Sequence, residues 1–362
     1  MSTRGARLSR TTLAVVGGLL AGLAALVAWL RFGGPRLPAG IDAVIDRVAA
    51  GDLAGVVTGT TGETDASGIR IWYESIPPMG RERGTIMLFI SLGGDGILWP
   101  PAFIRALTGA GYRVIRFDQR GTGASDWMPG WSREHPYTLV DMARDAIAVL
   151  DATGTERAHL IGLSFGGMVA QEVAILEPRR VASLTLMSTS PDPTDPTLPE
   201  PHVGRLALLA IRSLPLLRYR LRGDPRSLVK ERIAKIISVY GPEGVDVEEN
   251  AALVLYDLRH RHGLNLRALR QHQAAVAATR PRAAALATLS VPTLVVHGTE
   301  DDLIPIEHAR RLAALIPDAA HLWLDGAGHV FPYPASADVE GTILAHLDSA
   351  ARDRGTDVSS QQ

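Results

Sequence analysis

The sequence predicts an α/β fold with a mostly parallel sheet flanked by helices, on the strength of two observations. Short apolar runs typical of strands alternate with helical patterns from about residue 66, as in "GTIMLFISL", then "PAFIRALTGAG", then "YRVIRFD". This alternation is typical of βαβ units, whose strands are parallel and buried on both faces. The same alternation returns near residue 291 after a long helical stretch, which indicates one sheet with an insertion.

The composition is that of a globular protein, and it excludes several kinds of chemistry. Hydrophobic residues make up 46% and charged residues 21% of the 362 residues, and the formal net charge is −1. A chain with so little net charge has no overall field that attracts nucleic acid, so no nucleic-acid partner is expected. Because the sequence has no cysteine, it has no disulfide and no thiol nucleophile.

Residues 1–36 are predicted to be a basic N-terminal segment followed by a transmembrane helix. Three arginines lie in the first ten residues, twenty uncharged residues follow, and Arg31 closes the run. Twenty apolar residues are enough to cross a bilayer as a helix. We therefore expect a membrane anchor that contacts membrane lipid, with the main domain outside the cytoplasm. Cleavage of the segment as a signal peptide, followed by secretion, is the alternative.

The other domain boundaries follow from changes in pattern. Residues 37–65 are interpreted as a linker with a short amphipathic helix, and residues 66–190 as the first part of the α/β core. The segment "PDPTDPTLPEP" then carries five prolines in eleven residues, which ends any helix or central strand. Residues 191–290 are predicted to be a helical lid inserted into the core, residues 291–350 the second part of the core, and residues 351–362 a tail.

The stretch "AHLIGLSFGGMVAQEVA" indicates a sharp turn between a strand and a helix. Ser164 lies two residues from Gly162 on one side and from Gly166 on the other. Such a turn reverses the chain too tightly for side chains at the glycine positions, and it lifts the serine hydroxyl above the sheet edge. The helix that follows directs backbone N–H groups at any negative charge beside the serine. Ser164 is therefore a candidate nucleophile.

A serine hydroxyl is a poor nucleophile until a base takes its proton, so a histidine and an acid are needed at the same sheet edge. His329 comes shortly after the apolar run "LWL", and Asp301 shortly after "TLVVHG". The order is serine, acid, histidine, with gaps of 137 (301 − 164) and 28 (329 − 301) residues. We expect Asp301 to be the acid, with the adjacent Glu300 and Asp302 and the distant Asp192 as alternatives.

These motifs resemble the α/β-hydrolase fold superfamily over roughly residues 69–346. The resemblance lies in "FDQRGTGAS", "GLSFGG", "HGTEDDLIP" and "GAGH", in that order. The loop "SLGGDG", followed by "WP", is similar to that of anthracycline methylesterase-like members. The resemblance implies a catalytic triad in which Ser164 attacks the substrate, His329 acts as base and then acid, and Asp301 orients the imidazole.

The resemblance also implies an oxyanion hole made of two backbone N–H groups, one of them from Phe165. The second comes from the loop after the third strand, where this chain has Ser91-Leu92-Gly93-Gly94 in place of the family's usual His-Gly pair. By position, Gly94 is expected to be that donor. Asp95 follows directly and would oppose a developing negative charge, so we expect it to face solvent or to pair with a base.

The implied function is that of a serine hydrolase that cleaves an ester, in the manner of a carboxylesterase, through an acyl-enzyme and without a metal or organic cofactor. Apolar runs in the predicted lid, such as "RLALLAIRSLPLLRY", favour a largely apolar small-molecule substrate. Alternatives within the fold are a cofactor-free perhydrolase or haloperoxidase-like enzyme and an aminopeptidase. A non-catalytic module that binds a small molecule, or a receptor, is the alternative from another class.

Overall fold

A computed structural model of the protein describes residues 10–240, 245–262, 265–329 and 337–359, and these residues form one eight-stranded sheet with helices on both faces. The strands are β1 (Thr60–Asp65), β2 (Arg70–Ile76), β3 (Gly84–Phe89), β4 (Tyr112–Phe117), β5 (Ala158–Leu163), β6 (Val181–Met187), β7 (Thr293–Gly298) and β8 (Ala320–Leu324). The helices before the lid are α1 (Arg10–Phe32), α2 (Ile41–Ala50), α3 (Pro101–Gly109), α4 (Leu139–Ala152) and α5 (Phe165–Leu176). Those that follow are α6 (Val203–Ser213), α7 (Leu217–Arg222), α8 (Pro225–Tyr240), α9 (Val247–His260), α10 (Leu266–Ala278), α11 (Ala283–Leu286), α12 (Ile306–Leu315) and α13 (Ala337–Ser359).

The strands lie in the order β1-β2-β4-β3-β5-β6-β7-β8. β2 is antiparallel to both β1 and β4, and every other neighbouring pair is parallel. The predicted α/β fold with a mostly parallel sheet is therefore confirmed. Because β3, β5, β7 and β8 run in the same direction, the segments that follow them all emerge at one edge of the sheet.

Two apolar clusters cover the two faces of the sheet. On one face α4, α5 and α12 supply side chains such as Val149, Val169 and Leu312, all fully buried. On the other face α3 and α13 supply side chains such as Leu107 and Ile343. Burial of one such side chain contributes roughly 1.5–3 kcal/mol to folding. The strands are thus held between two helical layers, which fixes the edge at which their loops meet.

The lid helices α6 to α11 lie between β6 and β7 in the chain, and α2 packs on them. Ile45 of α2 belongs to one buried cluster with Val229 and Ile233 of α8 and Leu255 of α9. No role for the short helix in residues 37–65 could be predicted from the sequence. The structure places it as a further layer of the lid.

Ion pairs join α2 to the basic side of α8. Asp42 lies 2.7 Å from the ammonium of Lys230, and Asp46 pairs with Arg226. These contacts are exposed, and such pairs typically contribute less than about 1 kcal/mol each. They neutralise part of the positive charge of α8.

The predicted membrane anchor is not supported. The N-terminal segment does form a helix, α1, but its C-terminal end meets the lid, where the carbonyl of Gly33 accepts a hydrogen bond from Arg218 at 2.6 Å. Within the described residues, no helix has both the length and the apolar character that crossing a bilayer requires. The expectation of a membrane-anchored protein with its main domain outside the cytoplasm is wrong on this finding. A membrane-lipid partner through this helix is likewise not supported.

Candidate active site

Ser164 occupies a strained turn between β5 and α5. Its φ of 56° lies in the left-handed region, which costs a residue with a side chain of order 1–3 kcal/mol. A Cβ on Gly162 would lie 2.6 Å from the Cα of Gly167, and one on Gly166 would lie 2.2 Å from the carbonyl oxygen of Phe89. Glycine at both positions therefore lets the turn pack against its neighbours.

A chain of hydrogen bonds joins the three side chains that the sequence singled out. Nε2 of His329 lies 2.9 Å from Oγ of Ser164, and Nδ1 of the same ring lies 2.8 Å from Oδ2 of Asp301. A carboxylate accepts only, so Nδ1 carries the proton and Nε2 is free to accept the one from the serine. Ser164 is 7% exposed and the His329 side chain 16%, so a small molecule has limited access to both.

The Asp301 carboxylate is held by the turn after β7. Its Oδ1 accepts hydrogen bonds from the amides of Leu303 and Ile304 at 2.9 and 2.8 Å. Burial by itself would raise the pKa of Asp301, but hydrogen bonds from His297 and His329 outweigh it and hold the pKa well below its usual range. The carboxylate is therefore ionised at every pH at which it has to orient His329.

The alternative acids are engaged elsewhere. Asp302 pairs with Arg205 at 2.9 Å. Asp192 accepts hydrogen bonds from the amide and hydroxyl of Thr194 in a local turn. Glu300 is exposed. Of the four candidates, Asp301 is the one that the structure brings to His329.

The loop after β3 does not present its amides as expected. The N–H of Gly94 donates to the carbonyl of Ser91 at 3.0 Å, and the N–H of Gly93 donates to Nδ1 of His272 at 3.1 Å. Among the described residues, the amide of Leu92 has no protein acceptor, and neither has that of Phe165 at the first turn of α5. The Gly94 amide is thus occupied, whereas the Phe165 amide is available.

Asp95 is buried rather than solvent-facing, at 7% exposure. Burial lowers the pKa of Arg232 and Arg261, and the negative charge of Asp95 opposes that shift in both. Asp95 therefore interacts electrostatically with two arginines of the lid region. The positive charges of the two arginines offset part of the negative charge of Asp95, which would otherwise disfavour an oxyanion nearby.

A family profile described as the alpha/beta hydrolase fold matches residues 84–334, more than half of the chain. The chain belongs to the α/β-hydrolase fold family. The resemblance inferred from the motifs is thereby confirmed, and so is the fold that it implied. The match begins at β3 and includes Asp301, His329 and the turn at Ser164 between β5 and α5, residues 162–166, called the elbow below.

Several hydrolases are similar to this α/β-hydrolase. Rhodomycin D methylesterase DauP of Streptomyces sp. (strain C5) is 30% identical over 78% of this chain and 96% of its own length. A protein named carbamate hydrolase, RutD of Variovorax paradoxus (strain S110), is 33% identical over 76% of this chain and 95% of its own. The structure of a hydrolase from Pseudomonas aeruginosa PA01 is 28% identical and covers 80% of this chain and 98% of its own, with a TM-score of 0.58. The expected likeness to anthracycline methylesterases and the expectation of an enzyme are confirmed: the chain is a hydrolase.

Sequence reasoning missed one polar residue beside the site of this α/β-hydrolase. His272 on α10 is fully buried between the loop after β3 and the elbow. The pattern of α10 did carry a signal, because Ala268, Gln271, His272 and Ala275 share its buried face. A polar pair on an apolar helix stripe indicates that the polar groups have partners in the core.

Proposed function

We propose that the protein is a serine hydrolase that cleaves an ester of a small, largely apolar molecule. The single observation that carries the proposal is the continuous hydrogen-bonded chain from Oγ of Ser164 through His329 to Asp301. This arrangement suits proton transfer from a serine hydroxyl to an imidazole and back to a leaving group. The similarity to a methylesterase favours an ester as substrate.

In the proposed mechanism Oγ of Ser164 attacks the ester carbonyl while its proton passes to Nε2 of His329. The protonated ring then gives that proton to the departing alcohol, which leaves an acyl group on the serine. Water next attacks the acyl carbon while His329 takes its proton; the ring then returns that proton to Oγ of Ser164 as the bond between Oγ and the acyl carbon breaks, which releases the acid and restores the enzyme. Asp301 holds the ring in the Nδ1–H form and stabilises its positive charge.

The negative oxygen of the tetrahedral intermediate needs two donors, and we assign them to the amides of Phe165 and Leu92. Phe165 was expected from the family pattern. Leu92 replaces Gly94, because the Gly94 amide already donates to Ser91 and the Gly93 amide to His272. Removal of one such donor typically costs 10²- to 10³-fold in kcat.

Helix α6 of the lid supports an apolar substrate. The amide of His202, just before α6, donates to the carbonyl of Asp302 at 2.9 Å, so this helix starts beside the acid of the site. Val203, Leu208 and Ile211 of α6 are exposed, at 66%, 46% and 54%. Exposed apolar side chains on a lid helix that begins next to the acid favour an acyl or alcohol group that buries apolar surface.

The proposal is tested by covalent labelling and by an ester panel. A fluorophosphonate probe should modify wild type but not Ser164→Ala, and the variant should lose about 10⁴-fold or more in kcat. The matched control is Ser67→Ala, since Ser67 is another serine with positive φ, 58°, but is exposed beside β1. It should label and turn over like wild type.

The panel should contain p-nitrophenyl esters of rising chain length, methyl esters, carbamates and aminoacyl amides. Hydrolysis that is fastest for apolar esters supports the proposal. A wild-type protein that is folded, unlabelled and inert on every ester would overturn it. Faster turnover of carbamates or amides than of any ester would overturn the choice of bond.

A further inference from the structure

His272 connects the lid to both sides of the proposed oxyanion hole. Its Nδ1 accepts from the amide of Gly93 at 3.1 Å, and its Nε2 lies 2.9 Å from the carbonyl oxygen of Arg120. An amide only donates and a carbonyl only accepts, so these partners fix the tautomer: Nδ1 is bare and Nε2 carries the proton. The ring has no hydrogen-bonding capacity left for a substrate.

The same ring also supports the residue that follows the nucleophile. It lies flat on the ring of Phe165, with centroids 4.7 Å apart and planes inclined by 3°. One imidazole therefore contacts the loop after β3, the first turn of α5 and the turn after β4. The two amides that we assign to the oxyanion are close to these contacts. Phe165 itself stacks on the ring, and Leu92 directly precedes Gly93.

Burial keeps His272 in the neutral form that this arrangement needs. The side chain is fully buried, and desolvation lowers its pKa to about 4. Above that pH Nδ1 remains an acceptor for Gly93. A protonated ring would present an N–H to the Gly93 amide and lose the bond.

Other contacts fix α10 on the same part of the core. Asn265 at its start donates to the carbonyl of Gly121 at 2.8 Å. Leu269 covers the loop so closely that a Cβ on Gly93 would lie 2.6 Å from its Cδ2. The position of the loop therefore depends on the docking of α10.

We propose that His272 is a positioning residue that couples the lid to the oxyanion hole by holding the Gly93 amide. When α10 is docked, the loop is set to stabilise the tetrahedral intermediate; when α10 is displaced, the loop loses its acceptor and the hole is disordered. His272 contacts no reacting atom and acts through the loop. The inference rests on the proposed function, whose oxyanion hole it explains.

Three substitutions at this position separate its contacts. In His272→Asn the Oδ1 atom can take the place of Nδ1 and accept from Gly93, whereas His272→Gln extends beyond that place and favours the Arg120 side. His272→Phe keeps the ring and its stacking on Phe165 but removes both hydrogen bonds. We expect kcat to fall about 10- to 100-fold in the Phe and Gln variants, with KM within about twofold, because a misplaced donor acts on the transition state. The Asn variant should stay within about threefold of wild type.

Hydrogen exchange of the peptide that contains residues 91–94 gives a readout that is independent of activity. Exchange there should rise in the Phe and Gln variants and stay near the wild-type rate in the Asn variant. Thermal unfolding of each variant shows whether it is folded, and the two polar variants keep the test valid if the Phe variant does not fold.

The outcomes separate this inference from the proposed function. Unchanged kcat and unchanged exchange in folded Phe and Gln variants would overturn the role of His272 while the ester hydrolase stands. An equal fall in kcat for all three variants, in step with their loss of stability, would also overturn it. If wild type is inert, the proposed function fails, and the exchange rates still decide whether His272 holds the loop.

Discussion

The serine side and the loop side of the proposed oxyanion hole are held by different kinds of contact. On the serine side, the amide of Ser164 donates to the carbonyl of Met187 at 2.8 Å, and the hydroxyl of Thr189 donates to the carbonyl of Ser164 at 2.7 Å. On the loop side, the Gly93 amide depends on a ring that is 179 positions away in the chain. The serine side is thus fixed by the sheet itself, and the loop side by a docked helix.

Because of this difference, changes on the serine side should affect folding, whereas changes on the loop side should affect the position of the loop. Contacts made by neighbouring strands persist as long as the sheet does, so changes there affect folding as a whole. A contact made by an inserted lid can be lost while the sheet stays intact. We therefore expect changes on the serine side to be severe and changes on the loop side to be graded.

The largest effect is expected for Gly166→Ala, on the serine side. The added Cβ would lie 2.2 Å from the carbonyl of Phe89 and 2.5 Å from that of Ile90, and backbone paired in the sheet cannot give way cheaply. We expect unfolding free energy to fall by about 3 kcal/mol or more and activity to be lost. The control is Gly341→Ala on α13, where an added Cβ would meet no atom of the described residues within 4 Å outside the helix's own backbone, and the helix should gain up to about 1 kcal/mol. Denaturant titration measures both, and equal stability of the two variants would contradict the tight elbow.

The next largest effect is expected for Asp301→Asn, because Asp301 lies in the turn that directly follows β7 of the sheet. The amide keeps the shape of the carboxylate but favours the wrong tautomer of His329, so kcat should fall about 10⁴-fold. Asp302→Asn is the matched control, since Asp302 is adjacent and pairs with Arg205 at 2.9 Å. Steady-state kinetics on one ester should show the control within about twofold of wild type. A fall of similar size in both variants would show that the acid is not Asp301 alone.

The smallest effect is a dependence of stability on pH that belongs to the loop side. The pKa of His272 is lowered to about 4 by burial, against about 6.5 in an unfolded chain. Between these values the unfolded chain binds the extra proton, so the stabilisation is complete above about pH 6.5 and is lost as pH falls toward 4. Denaturant titrations of wild type and His272→Asn across this range measure it.

The variant His272→Asn should show a flatter dependence than wild type. His135→Asn, a change at an exposed histidine, should keep the wild-type slope. Equal slopes for wild type and His272→Asn would mean that His272 is not held neutral in the folded protein.

The fold and the serine side could be predicted from the sequence because their determinants are local. Gly162 and Gly166 mark the turn at Ser164 within a few residues of sequence. Asp301 and His329 each follow a strand within a few residues. The parallel strands then bring Asp301 and His329 to the same edge without further information. The triad geometry follows from topology and a short motif.

The loop side could not be predicted in the same way. The sequence places Gly94 where a donor is expected, but its amide turns back to Ser91, and the Gly93 amide meets a lid residue. Which amide of a glycine-rich loop remains unpaired depends on a helix that docks from far along the chain. The prediction of a membrane anchor in the N-terminal segment failed for another reason. Its apolar composition did not show that the end of α1 would contact the lid near Arg218.

The packing of α2 on the lid limits how this chain can be shortened for crystallisation or expression. Ile41, Ile45 and Val48 of α2 cover the apolar side of α8 and α9. A version that starts at β1, near residue 60, would leave that apolar side open to water and prone to aggregate. A version that starts shortly before Ile41 keeps the covering helix and is the shorter form to prepare.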